Sequence, residues 1–248
     1  MTLVVAIRTR EGAVLAADSQ LTFRDASARV VDRRRVTKLI ARGPLVWGWA
    51  GDEDAQQDLA MQVLEAGPID LRRKRSEIKA TVNTLAEKVF AALDEPARLR
   101  LLFVWWAHDE GKAVVMRTGP SGKGVRSVFL DEGGNVEMIG SDAAKLVARF
   151  GQRFLGIADV ADLTLEQAKT LVYKLISDVG AVVDDVGGPI SMFTITKAGP
   201  EQLGHDELGL LADTAGQWTD SMREQLSGAT PSQATRPDEG VEPPGSAP

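Results

Sequence analysis

Thr2-Leu3-Val4-Val5-Ala6-Ile7, a turn at Arg10-Glu11-Gly12, then Ala13-Val14-Leu15-Ala16-Ala17-Asp18-Ser19 is the stretch that decides the fold. It reads as a β-hairpin whose first strand begins at the N-terminus. Thr2 is small enough for a methionine aminopeptidase to remove Met1. Removal leaves a threonine that carries a hydroxyl and a free α-amine on one residue. An α-amine has an ordinary pKa of about 7.7–8.0, close to the working pH that suits a general base. A threonine hydroxyl beside such an amine is an activated nucleophile.

Composition narrows the classes open to this chemistry. At 248 residues, with 44% hydrophobic and 26% charged residues, the chain can bury a full core. No apolar run reaches the roughly 18 residues of a membrane span, and the N-terminus lacks a secretory layout. The absence of cysteine excludes disulfides, thiolate catalysis and Cys-ligated metals. A net charge of -6 argues against nucleic acid as the main partner. The expectation is a soluble, cytoplasmic protein with no cofactor and no membrane or nucleic-acid partner.

Outward from the hairpin, residues 24–35 are too polar for core. Residues 36–40 and 45–49 read as short strands around Arg42-Gly43-Pro44. From Asp52 the period changes, with Ala55, Leu59, Val63 and Leu64 on one helical face before Gly67-Pro68. Ser76 is placed as the N-cap of a second helix, whose stripe is Ile78, Val82, Leu85, Val89 and Leu93. Strands follow at 99–107, 113–116, 125–130 and 136–139, the last two joined as a hairpin across Glu132-Gly133-Gly134-Asn135. A helix at 142–150 comes next. Another opens on a capping box at Thr164 and Gln167 and buries Leu165, Ala168, Val172, Leu175 and Val179. Residues 189–196 make a final strand. Two short helices are expected near 208–211 and 218–226.

The order is strands, two helices, strands, two helices, strand. Two stacked antiparallel sheets with a helix pair outside each would bury every apolar face. The expected class is therefore α+β, a four-layer α/β/β/α sandwich. Residues 1–198 form the main domain, 199–226 a helical extension and 227–248 a disordered tail.

Read with Lys38 and Trp49-Ala50-Gly51, the segment from Thr2 to Thr22 resembles the catalytic β-subunits of proteasomes and the heat-shock locus V (HslV) peptidase. Both are N-terminal-nucleophile (Ntn) hydrolases. The resemblance covers roughly residues 2–197 and also fits stand-alone bacterial proteasome homologues. By resemblance Thr2 matches the nucleophile, with Asp18 and Lys38 the supporting pair and Gly51 the oxyanion glycine. Ser141 matches the serine that orients the amine, and Asp184 the second aspartate, with Asp185 beside it. The serine expected three residues after that aspartate is missing, with Val186 and Gly187 in its place. Thr22 and Gly51 would hold substrate as an added strand. Trp49 falls at the floor of the pocket for the side chain before the scissile bond, where an indole favours small substrate side chains.

The chemistry also stands without the family. A charged lysine near the Thr2 hydroxyl and amine lowers the pKa of both, and needs a carboxylate to balance its burial. An oxyanion needs a backbone N–H donor, which a glycine at a strand end can offer. Ordinary roles exist for the same residues. Asp18 can cap a turn, Lys38 can be a solvated edge charge, and Ser141 is a natural helix N-cap. Trp47, Trp105 and Trp106 read as core, and His108 and His205 lack metal-ligand spacing. Arg33-Arg34-Arg35 and Arg72-Arg73-Lys74-Arg75 read as solvated faces. Residues 119–124 lack the spacing and following helix of a phosphate loop.

The expected function is a threonine peptidase that cleaves peptides or unfolded proteins through an acyl-enzyme on Thr2. Removal of Met1 would be its only maturation step. The resemblance implies a homo-oligomeric ring and, in some branches, an ATP-dependent unfoldase as partner. Two rivals stand beside it: a non-catalytic ring subunit that keeps Met1, and an Ntn amidase acting on a small amide.

Overall fold

The computed structural model describes residues 2–25, 27, 29–51, 53–67, 69–91, 99–121, 124–130, 135–154 and 160–228. β1 (Leu3–Arg8) and β2 (Ala13–Ala17) form the expected antiparallel hairpin, in register from Val4–Ala17 to Arg8–Ala13. Both strands are buried on both faces. Alternation assigns each side chain to one of two cores. Leu3, Val5, Ile7, Val14 and Ala16 pack with the helices α3 (Asp142–Phe154) and α4 (Leu165–Val182). Val4, Ala6, Ala13, Leu15 and Ala17 turn the other way, onto a second sheet.

That hairpin is the middle of a five-stranded sheet. β10 (Val136–Gly140) pairs with β1; β11 (Ser191–Thr196) pairs with β2 and carries β12 (Gly199–Gln202) at the edge. The second sheet runs in sequence order through β5 (Leu39–Arg42), β6 (Leu45–Ala50), β7 (Arg100–Ala107), β8 (Lys112–Ser121) and β9 (Gly124–Phe129). It too faces both ways. Val46, Leu102, Val104 and Val115 meet the hairpin, while Trp47, Trp49, Phe103 and Trp105 pack under α1 (Glu53–Glu65) and α2 (Arg75–Ala91). All antiparallel pairings and five α-helices among the described residues make this an α+β chain. Among them no helix is long and apolar enough to cross a membrane.

Several expectations are corrected. β9 and β10 are not a hairpin: β9 pairs with β8, and β10 crosses to β1 in the other sheet. A Gly-rich turn signals a reversal, not a partner. The buried Met138 and Ile139 complete the β1 edge, and residues 131–134 of the link lie outside the described residues. Within the polar 24–35 stretch, β4 (Val30–Arg35) pairs with β3 (Gln20–Arg24) as a separate, largely exposed ribbon. Ser76 lies inside α2 rather than capping it. The capping box of Thr164 and Gln167 forms, with both reciprocal hydrogen bonds present.

Beyond β11 the chain keeps its order. The boundary expected after residue 198 falls in the β11–β12 turn, where Thr196 pairs with Gly199. The two short helices are one, α5 (His205–Gly228). Contacts divide the chain after Ala215. Up to that residue α5 contributes Leu208 and Leu211 to the core beside α4. The second unit begins at Gly216 with the remaining turns of α5. Most of the tail expected to be disordered, residues 229–248, lies outside the described residues.

Leu15 is wholly buried between the sheets. Leu15→Ala is expected to lower stability by about 2–5 kcal/mol through the cavity it leaves. Val31→Ala, on an exposed strand position, should change it by under about 0.5 kcal/mol. Urea unfolding of both variants checks the contrast.

Candidate active site

Three chain segments end at one point. β1 starts just after Thr2, β2 stops just before Asp18, and β5 starts just after Lys38. The Asp18 carboxylate gathers them. Its Oδ1 accepts hydrogen bonds from the Leu3 N–H and from Lys38 Nζ, each at 2.9 Å. Its Oδ2 accepts from the Gln20 and Gly187 N–H groups, each at 3.1 Å. Lys38 also donates to the Gln20 carbonyl. Both charged side chains are fully buried. A buried pair is tolerable only when further hydrogen bonds satisfy the remaining charge. Here four donors surround one carboxylate.

Burial pulls the Lys38 amine down from 10.5 to about 8, and the Asp18 charge only partly opposes this. The sign of the linkage follows. Between about pH 8 and 10.5 the folded chain holds fewer protons than the unfolded one. This group therefore adds stability as pH rises through that window.

Thr2 is buried, and its hydroxyl has no hydrogen-bond partner among the described residues. A buried hydroxyl without a partner is uncommon and needs a reason. The Thr2 carbonyl is held by the Ser141 N–H at 3.2 Å. That contact requires Gly140, which adopts φ +147°. A Cβ there would lie 2.0 Å from the Thr2 oxygen. Ser141 Oγ accepts from the Ala144 N–H at 3.2 Å, so its side chain caps α3 while its backbone holds Thr2.

The other expected residues divide. Gly51 follows β6 with φ +122° and is exposed just before α1. Thr22, half-buried on β3, accepts a 3.1 Å hydrogen bond from Gln20 Nε2. Trp49 is wholly buried in the sheet–helix core, and its indole N–H donates to the Thr37 carbonyl at 3.0 Å. The Asp184 carboxylate points outward, 3.8 Å from Arg33, whereas neighbouring Asp185 is buried.

Sequence reasoning missed Gln20. Its N–H and carbonyl bind Asp18 and Lys38, and its side-chain amide joins Thr22 to the Asp184 carbonyl at 2.6 Å. Its place between Asp18 and Thr22 was the available signal. Gly187 was seen only as a lost serine. Its N–H reaches Asp18, and its carbonyl accepts from the Ser19 and Gln20 N–H groups.

In the intact protein, one ¹³C-labelled lysine resonance is expected to titrate near pH 8. Lys38→Met should remove that resonance. Titration of all lysines together above pH 10 would refute the desolvated amine.

No family model and no curated protein matches the sequence. Solved structures do share its fold. The Gly-1 mutant of Anbu from Hyphomicrobium sp. strain MC1 is similar at TM-score 0.70 and 18% identity, over 92% of this chain and 97% of that one. Anbu, an ancestral beta-subunit, from Yersinia bercovieri is similar at TM-score 0.70 and 14% identity, over 94% and 99%. The helical assembly of the Anbu complex from Pseudomonas aeruginosa contains a chain similar at TM-score 0.71 and 17% identity, over 94% and 100%. These matches correct the resemblance to proteasome β-subunits and HslV. They span too much of this chain for the segment after Lys197 to lie outside them. The chain has the fold of the Anbu structures.

Proposed function

We propose that the chain is a threonine-nucleophile peptidase built on an Anbu-like subunit. The observation that carries this reading is the unpartnered Thr2 hydroxyl at the head of the strand whose next N–H is bound by the buried Asp18–Lys38 pair. The three core clusters, one outside each sheet and one between them, support a four-layer sandwich around it.

Cleavage before Thr2 frees the amine. The amine takes the hydroxyl proton, directly or through a water, and Oγ attacks the substrate carbonyl carbon. The oxygen gains the negative charge and accepts a hydrogen bond from the Gly51 N–H. Collapse expels the amine of the leaving fragment with the transferred proton and leaves an ester on Thr2, which water hydrolyses. Lys38, cationic below about pH 8, steadies the developing alkoxide. Asp185, not the outward Asp184, is the second aspartate of this scheme, because only its side chain is buried. Peptide lies along Thr22 and Gly51 as an added strand. The buried Trp49 fills the space beneath, so small side chains before the scissile bond are favoured. The helical assembly of the Pseudomonas protein supports self-association here, closed or helical.

Three measurements test this. Intact mass should show a chain that begins at Thr2, and a peptide vinyl sulfone should label that residue. Thr2→Ala should abolish labelling and lower peptide turnover at least about 10³-fold. An N-terminus retained before Thr2, with no labelling, replaces the reading with a non-catalytic subunit; turnover of small amides alone replaces it with an amidase. In a fluorogenic panel, peptides with alanine or valine before the scissile bond should outpace those with phenylalanine or tryptophan. Faster aromatic cleavage would overturn the role given to Trp49.

A further inference from the structure

The β3–β4 ribbon carries a charge pattern the catalytic scheme does not use. In its register Thr22 faces Arg33 and Gln20 faces Arg35. Opposed residues of an antiparallel pair project from the same side. Both arginines therefore share the face of the proposed substrate-holding Thr22. Both are exposed. Arg34, on the opposite face, is already engaged: its Nε donates to Asp32 at 2.9 Å, and its guanidinium lies 4.9 Å from the Phe23 ring centre. Among the described residues the Arg33 guanidinium has one ion-pair partner, Asp184, at 3.8 Å, with half or more of each side chain in solvent. Such a loose exposed pair contributes little and is readily exchanged. The Asp184 carbonyl is fastened to Gln20, which keeps its carboxylate near Arg33 as an internal stand-in for an acidic group. This basic strip stands out in a chain of net charge -6.

We propose that Arg33 and Arg35 select peptides with an acidic side chain, by binding a carboxylate from the segment laid along Thr22. The inference rests on the peptide-binding reading above and names its substrate class. Arginine suits the task, since its planar fork binds carboxylate through two parallel hydrogen bonds.

Binding to the Thr2→Ala chain separates this selection from turnover. Fluorescein-labelled peptides that differ only by Glu or Gln at successive positions are titrated by anisotropy at low salt. At one position the Glu peptide should bind about fivefold tighter, the scale of an exposed pair. The preference should fade at high salt and vanish in Arg33→Gln/Arg35→Gln. It should persist in Arg73→Glu, on the α1–α2 link, which changes net charge elsewhere. Equal binding of Glu and Gln peptides at every position overturns the proposal, as does a preference that survives loss of both arginines. Acid-selective binding by a wild-type chain that cleaves nothing would sustain the proposal and remove the peptidase reading.

Discussion

One carboxylate holds the site together. Asp18 accepts hydrogen bonds from Leu3, Gln20, Lys38 and Gly187, residues that are far apart in the chain. A charge in so dry a place is costly unless every lone pair is used. The demand works as a geometric constraint. The start of β1, the end of β2, the approach to β5 and the loop after α4 must arrive together or leave a buried ion exposed to apolar surroundings. Folding and site assembly are thus the same event.

The sheets supply the dry place. Because β1, β2, β6 and β7 are apolar on both faces, they seal the end of the site from three cores at once. Burial there depresses the Lys38 amine to about 8. Thr2 then sits at a strand end with its hydroxyl unpartnered among the described residues, its backbone pinned by Ser141 across Gly140.

Much of this was legible. The unbroken apolar run of the opening hairpin and the switch to a 3.6-residue period after Asp52 name the layers in order. Thr2 heads the first strand in sequence and structure alike, whereas Asp18 and Lys38, read as strand residues, fall just outside β2 and β5. What stayed hidden was pairing across distance. Nothing local tells β10 to prefer β1 over β9, because that choice depends on which sheet edge is vacant. Alternation along β6 turns Trp49 inward with Trp47. Asp184 and Asp185 are indistinguishable in composition, and only the turn of the loop decides which one is buried.

The missing serine in that loop shows why residue matching is a weak guide at a site built from backbone. Without a side chain, Gly187 donates its own N–H to Asp18 and accepts from two others through its carbonyl. It lies so close to Gln20 that an added Cβ would fall 2.9 Å from the amide oxygen. The loop therefore reaches the ion pair by main-chain contact. A comparison confined to side-chain identity overlooks such a contact.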